Sequence, residues 1–297
     1  MNKIHGTDIG TERARGLQLS CEFFPPRSDE GLDSLESVAG KLASIGPDFY
    51  SCTYGAGGTT RDGTRETISR LLTLGYDAAP HLSIGNDSKE TIFELLDRYR
   101  TLGVRRIVTL RGDAPSGSGT SGVKHNAETL VRWIREHSGD HFHLEVAAYP
   151  ETHPDAVSPE SDLDYFRAKV DAGASSAITQ YFYSPYAYYD FIERCAKAGI
   201  DIPIIPGIMP ITNFDGIVRF SRKCGADVPR WLHKRLESLA ALPDNEAGLR
   251  SFGIDVLVRM CAELIEQGAP GLHFYTLNRW GATRAICGEL GLLARRP

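Results

Sequence analysis

Glu22 stands in the run Cys21-Glu22-Phe23-Phe24-Pro25-Pro26-Arg27, among apolar and aromatic neighbours. A carboxylate is costly to bury as an anion, so such a residue is neutral, paired or functional. It is the natural centre on which to build proton chemistry. Other polar residues close apolar runs further along the chain. Thr53 ends the second run, His81 the third, Arg111-Gly112-Asp113 the fourth, and Tyr149 with His153 the fifth. Gln180 lies in the sixth, and Tyr275 with Arg279 closes the last, in His273-Phe274-Tyr275-Thr276-Leu277-Asn278-Arg279. Any one of them alone is more simply a satisfied loop residue. Their repeated placement at the same end of successive runs favours a shared site.

The elements that position them follow from patterning. Strand-like runs occupy 17–24, 49–55, 78–84, 106–111, 143–149, 176–183, 203–208 and 272–277. Most are continuously apolar, as expected of parallel strands covered on both faces. Helical patterns lie between them. Ser88 caps a helix whose face carries Ile92, Leu95, Leu96, Tyr99 and Leu102, with Gly103 as its stop. Leu163, Phe166 and Val170 form a stripe ending at Gly173, and Asn213 opens a helix with Ile217 and Phe220. Strand starts recur roughly every 30 residues, the length of one βα unit. A long gap before the last strand holds two further helical patterns, 228–241 and 246–267, which predict an insertion. The fold expected is α/β: a (β/α)8 TIM barrel, with extra helices before the last strand, forming one domain over 1–297. A doubly wound sheet fits less well, because no glycine fingerprint follows the first strand. In such a barrel, function sits where strands end and βα loops begin.

Several motifs carry less than they suggest. Gly117-Ser118-Gly119-Thr120-Ser121-Gly122 matches G-x-G-x-x-G, but it starts several residues past its strand in a Gly/Ser/Thr-rich stretch. It suits a loop over the mouth better than a dinucleotide turn. His137, His141 and His143 resemble a metal set, but they precede their strand and fall on the bottom face, so no metal site is expected. Tyr181, Tyr183, Tyr186, Tyr188 and Tyr189 pack by default, with stacking on a planar ligand as the sharper alternative.

Bulk properties exclude other classes. The net charge of −5 gives no electrostatic footprint for nucleic acid or anionic lipid. The polar first 16 residues lack the apolar core of a signal peptide, and no stretch is long enough to span a membrane. Six scattered cysteines without a C-x-x-C pair indicate free thiols and a cytoplasmic location.

At this point the chain resembles the methylenetetrahydrofolate reductase family, in its bacterial, catalytic-barrel form. The matching segments include Glu22-Phe23-Phe24-Pro25-Pro26, Thr53-Tyr54-Gly55-Ala56, Ala79-Pro80-His81-Leu82 and Leu110-Arg111-Gly112-Asp113. They continue with 147–154, 169–174, Ile178-Thr179-Gln180, Pro206-Gly207-Ile208 and 273–279, in family order over nearly the whole chain. The resemblance implies an FAD-dependent enzyme that reduces 5,10-methylenetetrahydrofolate to 5-methyltetrahydrofolate. NADH or NADPH is the co-substrate, and the setting is one-carbon metabolism and methionine supply. It places the general acid on Glu22, with Asp113 as its ionised partner. It places non-covalent FAD contacts on Thr53, His81, Arg111, Gly112, Asp113, Asn126, Ala127, Tyr149, His153, Asp162 and Lys169. Folate contacts fall on Glu22, Asp113, Gln180, Tyr275 and Arg279, with Phe220 as an aromatic surface shared with nicotinamide. The chain departs from the family pattern at Asn126 (often Tyr), at Tyr165 and Ala168 (polar in relatives), and at Gly216 (often Gln). The resemblance implies no counterpart of the eukaryotic regulatory domain within these residues. It also suggests a homo-oligomer, for which the sequence offers no feature of its own.

The implied chemistry needs an acid to open the folate ring and an anion beside the resulting iminium cation. Desolvation favours the protonated form of Glu22, and Asp113 beside a glycine stays ionised. Arg111, His81 and Lys169 supply positive charge for the cofactor. The alternatives are another FAD-dependent barrel oxidoreductase of the proline dehydrogenase kind, a cofactor-free folate-binding methyltransferase or lyase, and a non-catalytic folate-binding barrel.

Overall fold

The computed structural model describes residues 16–54, 61–85, 87–111 and 126–294. Its strands are β1 (Gln18–Phe23), β2 (Phe49–Cys52), β3 (Ala78–Ser83), β4 (Arg106–Leu110), β5 (His143–Ala148), β6 (Ser176–Thr179), β7 (Ile204–Ile205), β8 (Gly207–Ile208) and β9 (Gly271–Tyr275). They form one sheet in the order β7-β6-β5-β4-β3-β2-β1-β9-β8, and every pairing is parallel. The two ends of that order, β7 and β8, are halves of one strand parted by Pro206. The sheet is therefore a nearly closed barrel with the eight strand positions predicted.

The break has a physical cause. Proline has no N–H to give a ladder. The chain bonds around it: Pro203 O accepts from Ala177 N at 2.9 Å on one side, and Pro206 O accepts from His273 N at 3.0 Å on the other. Gly207 N then donates to the Thr179 hydroxyl, 2.9 Å, rather than to a backbone carbonyl. Any side chain at Gly207 would collide with Thr179 O and the Tyr275 ring, since a Cβ there would lie 2.2 and 2.6 Å from them.

The helices are α1 (Asp29–Leu42), α2 (Arg61–Thr73), α3 (Lys89–Thr101), α4 (Ala127–Ser138), α5 (Pro159–Asp171), α6 (Pro185–Lys197), α7 (Phe214–Cys224), α8 (Arg230–Ala240), α9 (Glu246–Glu266) and α10 (Gly281–Glu289). Ser88 and Asn213 cap α3 and α7 as predicted, accepting from Thr91 N and Gly216 N. Leu102 is the exception on the α3 stripe; it lies at the helix end and is exposed. The insertion is assigned differently from the sequence reading. α9 packs between α6 and α10 and so holds the ring position of the seventh unit, which makes α7 and α8 the extra helices.

Two apolar clusters result. The larger lies between strands and helices and includes Cys21, Phe23, Leu82, Ile107, Leu144 and Phe274. The smaller is formed by Phe49, Ala79, Val108 and Ile178, with Leu110 and Tyr275 against it. Period-2 alternation along the strands places this second set inside the barrel, together with Ser20, Glu22, His81, Glu145, His273 and Gln180.

The N-terminal end of the lumen is closed by a polar network. Glu145, fully buried, pairs with Arg106 and accepts from the Ser176 hydroxyl at 2.5 Å. His143 Nε2 lies 2.6 Å from that hydroxyl and 3.4 Å from Glu145 Oε1. The Arg106 guanidinium lies 4.4 Å from the Phe49 ring centre. Burial alone would raise the Glu145 carboxyl. The hydrogen bond to His143, the Arg106 charge and the Ser176 bond outweigh it, and hold the carboxyl below its ordinary range. His143 thus belongs to a barrel plug rather than to the surface. His137 pairs with Asp97 and stacks on Phe93, and His141 meets Phe142 edge-on. Among the described residues, no three His, Cys, Asp or Glu side chains group so as to hold a metal ion.

All six cysteines are free, and five are buried. Among the described residues, no helix is long and apolar enough to cross a membrane.

Candidate active site

At the C-terminal end of the lumen, strand β1 delivers Glu22 and strand β9 delivers His273 and Tyr275. Their register pairs Ser20 with His273 and Glu22 with Tyr275. Residues two apart on a strand point to one face, so the four side chains converge. Glu22 Oε2 lies 3.4 Å from His81 Nε2 and 3.6 Å from His273 Nε2. The other ring nitrogen of His273 is 2.7 Å from the Ser20 hydroxyl. Tyr275 donates its phenol to Thr179 O at 2.7 Å and meets the His273 ring edge-on. Burial pushes that phenol well above its ordinary range, with the nearby Glu22 adding to the shift.

His81 differs from expectation twice. It lies inside β3, two residues before the strand ends, and is 5% exposed. Burial pushes its imidazole down to about 4, against the raising effect of Glu22, and His273 lowers it further. An imidazolium loses most of its hydration in such a place. At neutral pH His81 is therefore uncharged and supplies no positive charge. Among the described residues, neither of its nitrogens makes a hydrogen bond, nor does His273 Nε2. Three buried ring nitrogens around one carboxyl are thus free to serve a ligand or a proton.

The rim above is held by the exit of β9. Thr276 donates its hydroxyl to Glu22 O at 2.6 Å. Asn278 bonds both backbone groups of Phe24, at 3.0 and 2.9 Å. Leu277 and Asn278 adopt the left-handed conformation, φ 51° and 55°, a tight turn that brings the exposed Arg279 back beside the mouth.

A second group gathers at the exits of β4 and β5. Arg111 pairs with Asp155 at 2.6 Å. Tyr149 meets His153 edge-on, 4.5 Å between centres. His153 donates its backbone N–H to Asp162 at 2.9 Å, and its Nδ1 accepts from Asp155 N at 3.0 Å. Burial and the Arg111 charge hold its imidazole below the ordinary value. Lys169 donates to Ala147 O, and burial lowers its ammonium to about 8 against the pull of Asp162. Arg111, Tyr149, His153, Asp162 and Lys169 are therefore brought together. Thr53 lies across the mouth, its backbone bonded to Phe23 O and to the Thr64 hydroxyl. Gly112 and Asp113 lie outside the described residues, as does 117–122. Asn126 spends its side-chain oxygen on capping α4, and Ala127 is buried behind it.

Helix α7 lies over this face. It leaves from β8, and Ser221 meets the Tyr181 hydroxyl at 3.2 Å beyond β6. At its far end Gly225 packs on Pro154, and Asp227 N donates to Glu151 at 2.8 Å in the loop after β5. Burial raises the Glu151 carboxyl to about 7, with Asp227 adding to it. Phe220 stands exposed on this helix. Gln180 follows β6 and its Oε1 accepts from Tyr181 N at 3.0 Å, while among the described residues its NH2 group has no protein partner. The tyrosines after β6 serve mainly in packing; only Tyr186 is largely exposed.

A family model for methylenetetrahydrofolate reductase matches residues 10–291. The chain belongs to the methylenetetrahydrofolate reductase family. Among family members, the 5,10-methylenetetrahydrofolate reductase of Salmonella typhimurium is 40% identical over 278 residues, covering 93% of this chain and 91% of that one. The Escherichia coli enzyme of the same name is 39% identical with the same coverage. Methylenetetrahydrofolate reductase (NADH) 1 of Arabidopsis thaliana is 37% identical, but the match takes in only 48% of its length. In fold, the chain is similar to a Clostridium thermocellum protein described as binding two copies of 5-methyl-5,6,7,8-tetrahydrofolic acid. The TM-score is 0.62 at 15% identity, over 94% of this chain and 96% of that one.

Relative to the site expected from sequence, the structure adds Ser20, His273 and Glu151. Ser20 and His273 were within reach, since each sits two residues before a predicted site residue on the same strand. Glu151 was not, because its partner is 76 residues away.

Proposed function

We propose that this family member is a single-domain enzyme, over 1–297, that reduces 5,10-methylenetetrahydrofolate to 5-methyltetrahydrofolate with NADH or NADPH as reductant. The observation that carries it is the Glu22 carboxyl at the mouth of the lumen, flanked by two imidazoles with unpartnered nitrogens. It has the family background of reductases named for this substrate. Its setting is the cytoplasm, and its partners are the small-molecule substrates.

Non-covalent FAD fits the second group. Arg111 and Lys169 are the cations, and the Tyr149 and His153 rings lie between them at the exits of β4 and β5. Thr53, Gly112, Asp113, Asp162, Asn126 and Ala127 complete the set implied by the family. When bound, FAD supplies the hydride chemistry that carries reducing equivalents from nicotinamide to folate.

The chain's own residues do the rest. Glu22 delivers the proton that opens the five-membered ring of the substrate. His273, fixed by Ser20, and neutral His81 flank its carboxyl at 3.6 and 3.4 Å, and their ring nitrogens give the proton a path within the lumen. Asp113 provides the anion beside the iminium cation that ring opening creates. The free amide end of Gln180 is placed to bond the pterin edge. Tyr275 and Arg279 close one side of the site, and Phe220 the other.

The test separates the two halves of the reaction. Glu22→Gln keeps size and polarity but carries no proton to give. Holoenzyme carrying it should still oxidise NAD(P)H with a quinone acceptor. Its reduction of methylenetetrahydrofolate should fall by about 10²–10⁴-fold, the usual worth of general acid catalysis. Equal loss in both assays would reduce Glu22 to a shaping role, and normal folate reduction would remove it from the mechanism.

A further inference from the structure

Helix α7 covers the mouth of the barrel but is lightly anchored. Of its 11 residues only Ile217 and Ser221 are buried, whereas α9 buries Leu249, Leu257, Met260, Leu264 and Ile265 along its length. A helix with so few buried apolar contacts belongs to the low-stability part of a fold. Its hold on the barrel is concentrated at its two ends. At the start, Asn213 caps it and Phe214 meets the His233 ring of α8 edge-on, 5.1 Å between centres. At the finish, Ser221 meets the Tyr181 hydroxyl, Gly225 lies against Pro154, and Asp227 N donates to Glu151 Oε2 at 2.8 Å. Phe220 stands about one turn before that second end.

The loop that receives this end is shaped for two duties. Thr152 has φ 73°, a left-handed conformation rare for a β-branched residue. Such backbone persists only where its surroundings impose it. Its two neighbours have different partners. Glu151 bonds the segment after α7, while His153 bonds Asp162 and the Asp155 N–H in the group at the exits of β4 and β5. Pro154 is the seat of Gly225: a Cβ on that glycine would lie 2.6 Å from Pro154 Cγ and 3.7 Å from Thr152 O.

We propose that Glu151 is a positioning residue: its bond to Asp227 N, with the seat of Gly225 on Pro154, forms a clasp that holds α7, and with it Phe220, over the mouth. The clasp ties that helix to the loop carrying Tyr149 and His153. This rests on the reading of the mouth as a folate reductase site in which both substrates use Phe220. Glu151 touches no reacting atom and acts through α7. A helix that buries so little is held near balance, so a weaker clasp appears directly as a smaller fraction competent to bind. One hydrogen bond has a net worth of roughly 2- to 12-fold in such an equilibrium.

The clasp also responds to pH. Burial raises the Glu151 carboxyl to about 7; the bond from Asp227 N opposes the rise, and the Asp227 charge adds to it. Tyr181 faces Glu151 as well, and Cys224 faces Tyr181. Arg194 of α6 reaches the same loop at Pro150 O, 3.4 Å, but is paired with Asp190. A carboxyl at about 7 when clasped and 4.5 when released holds best below 4.5 and loosens as pH rises through 7. Between pH 6 and pH 8 the loosening amounts to about tenfold at most.

The experiment compares holoenzyme carrying Glu151→Ala, Glu151→Gln or no change, by hydrogen exchange of residues 214–224 and by steady-state kinetics at pH 6 and pH 8. In Glu151→Ala, exchange of α7 should quicken by roughly 2- to 12-fold at pH 6, and KM for NAD(P)H and for methylenetetrahydrofolate should both rise within that range. The kcat of NAD(P)H oxidation with a quinone acceptor should stay within about twofold, because no reacting group is lost. Glu151→Gln keeps an acceptor but does not titrate. It should match the unmodified enzyme at pH 6, and the ratio of unmodified to Glu151→Gln KM should rise by up to about tenfold at pH 8. Gly225→Ala, which drives a Cβ into Pro154, should loosen α7 independently. Unchanged exchange of α7 in Glu151→Ala would overturn the proposal, as would faster exchange with both KM values unchanged. A KM ratio that does not move between pH 6 and pH 8 would overturn its pH response. Lower kcat and melting temperature with constant KM would make Glu151 merely structural. Absence of folate turnover in the unmodified enzyme would instead remove the reductase reading, and exchange of α7 would still decide whether the clasp holds the helix.

Discussion

The polar plug at the bottom of the barrel should be a large store of stability that catalysis does not use. Glu145→Ala removes, from a position with no exposure, the acceptor shared by Arg106, His143 and Ser176. The Arg106 side chain, 22% exposed, then keeps its charge above Phe49 with no anion beside it. Breaking one member of a buried pair costs about 3–5 kcal/mol. Unfolding entropy of about 2.1 cal/mol/K per residue gives ~0.6 kcal/mol/K for a chain of 297 residues. The melting temperature should therefore drop by about 5–8 °C. Glu145→Gln keeps the shape and loses only the charge-assisted part, about 1.5–3 kcal/mol, so its drop should be about half as large. The double variant R106M/E145M replaces the pair with apolar groups of similar volume and should regain most of the loss. The sign of the pH effect follows from the lowered carboxyl. The contribution is present above the unfolded value of 4.5 and is lost as pH falls through the folded value. The gap between unmodified protein and Glu145→Ala should then narrow in acid. Thermal unfolding by circular dichroism at pH 7 and pH 4 measures this. A melting shift under about 1 °C for Glu145→Ala, or a double variant worse than the single one, would refute the reasoning.

Two further outcomes are expected. Glu151 has a folded pKa of about 7 against 4.5 unfolded, so it favours the folded state when protonated and its contribution is lost as pH rises between those values. Glu151→Gln keeps an acceptor for Asp227 N and should flatten the stability profile over that window; urea titrations at pH 5 and pH 8 would show an unchanged slope if Glu151 is not responsible. At Asn278, replacement by Ala loses the bonds to Phe24 and also places a Cβ in left-handed backbone, whereas Gly loses only the bonds. Asn278→Gly should therefore be the more stable of the two by about 1 kcal/mol, and the reverse order in thermal unfolding would count against a strained turn.

Much of this molecule was legible along the chain, because the controlling physics is local. Every predicted strand is present, since continuous apolar runs at βα spacing have few solutions other than a parallel barrel. The Ser88 and Asn213 caps formed where an oxygen-bearing side chain precedes an apolar stripe. Among the described residues, the polar side chains that close successive strands gather at the C-terminal end of the barrel, as an all-parallel sheet requires. Other features depended on contacts that sequence spacing does not encode. Which of three helices holds the seventh ring position was decided by packing, because α9 fits between α6 and α10. The charge state of His81 was decided by depth: its side chain points into the lumen and is 5% exposed, where an imidazolium keeps little of its hydration. Glu145 reads on its own as a charge within a strand and becomes a plug only when β4 and β6 supply Arg106 and Ser176. Sequence thus determined the strands and the caps. Tertiary structure decided burial, and burial set which imidazole is neutral, which carboxyl is held below its usual range and which is raised, because the cost of a charge depends on how much water remains around it.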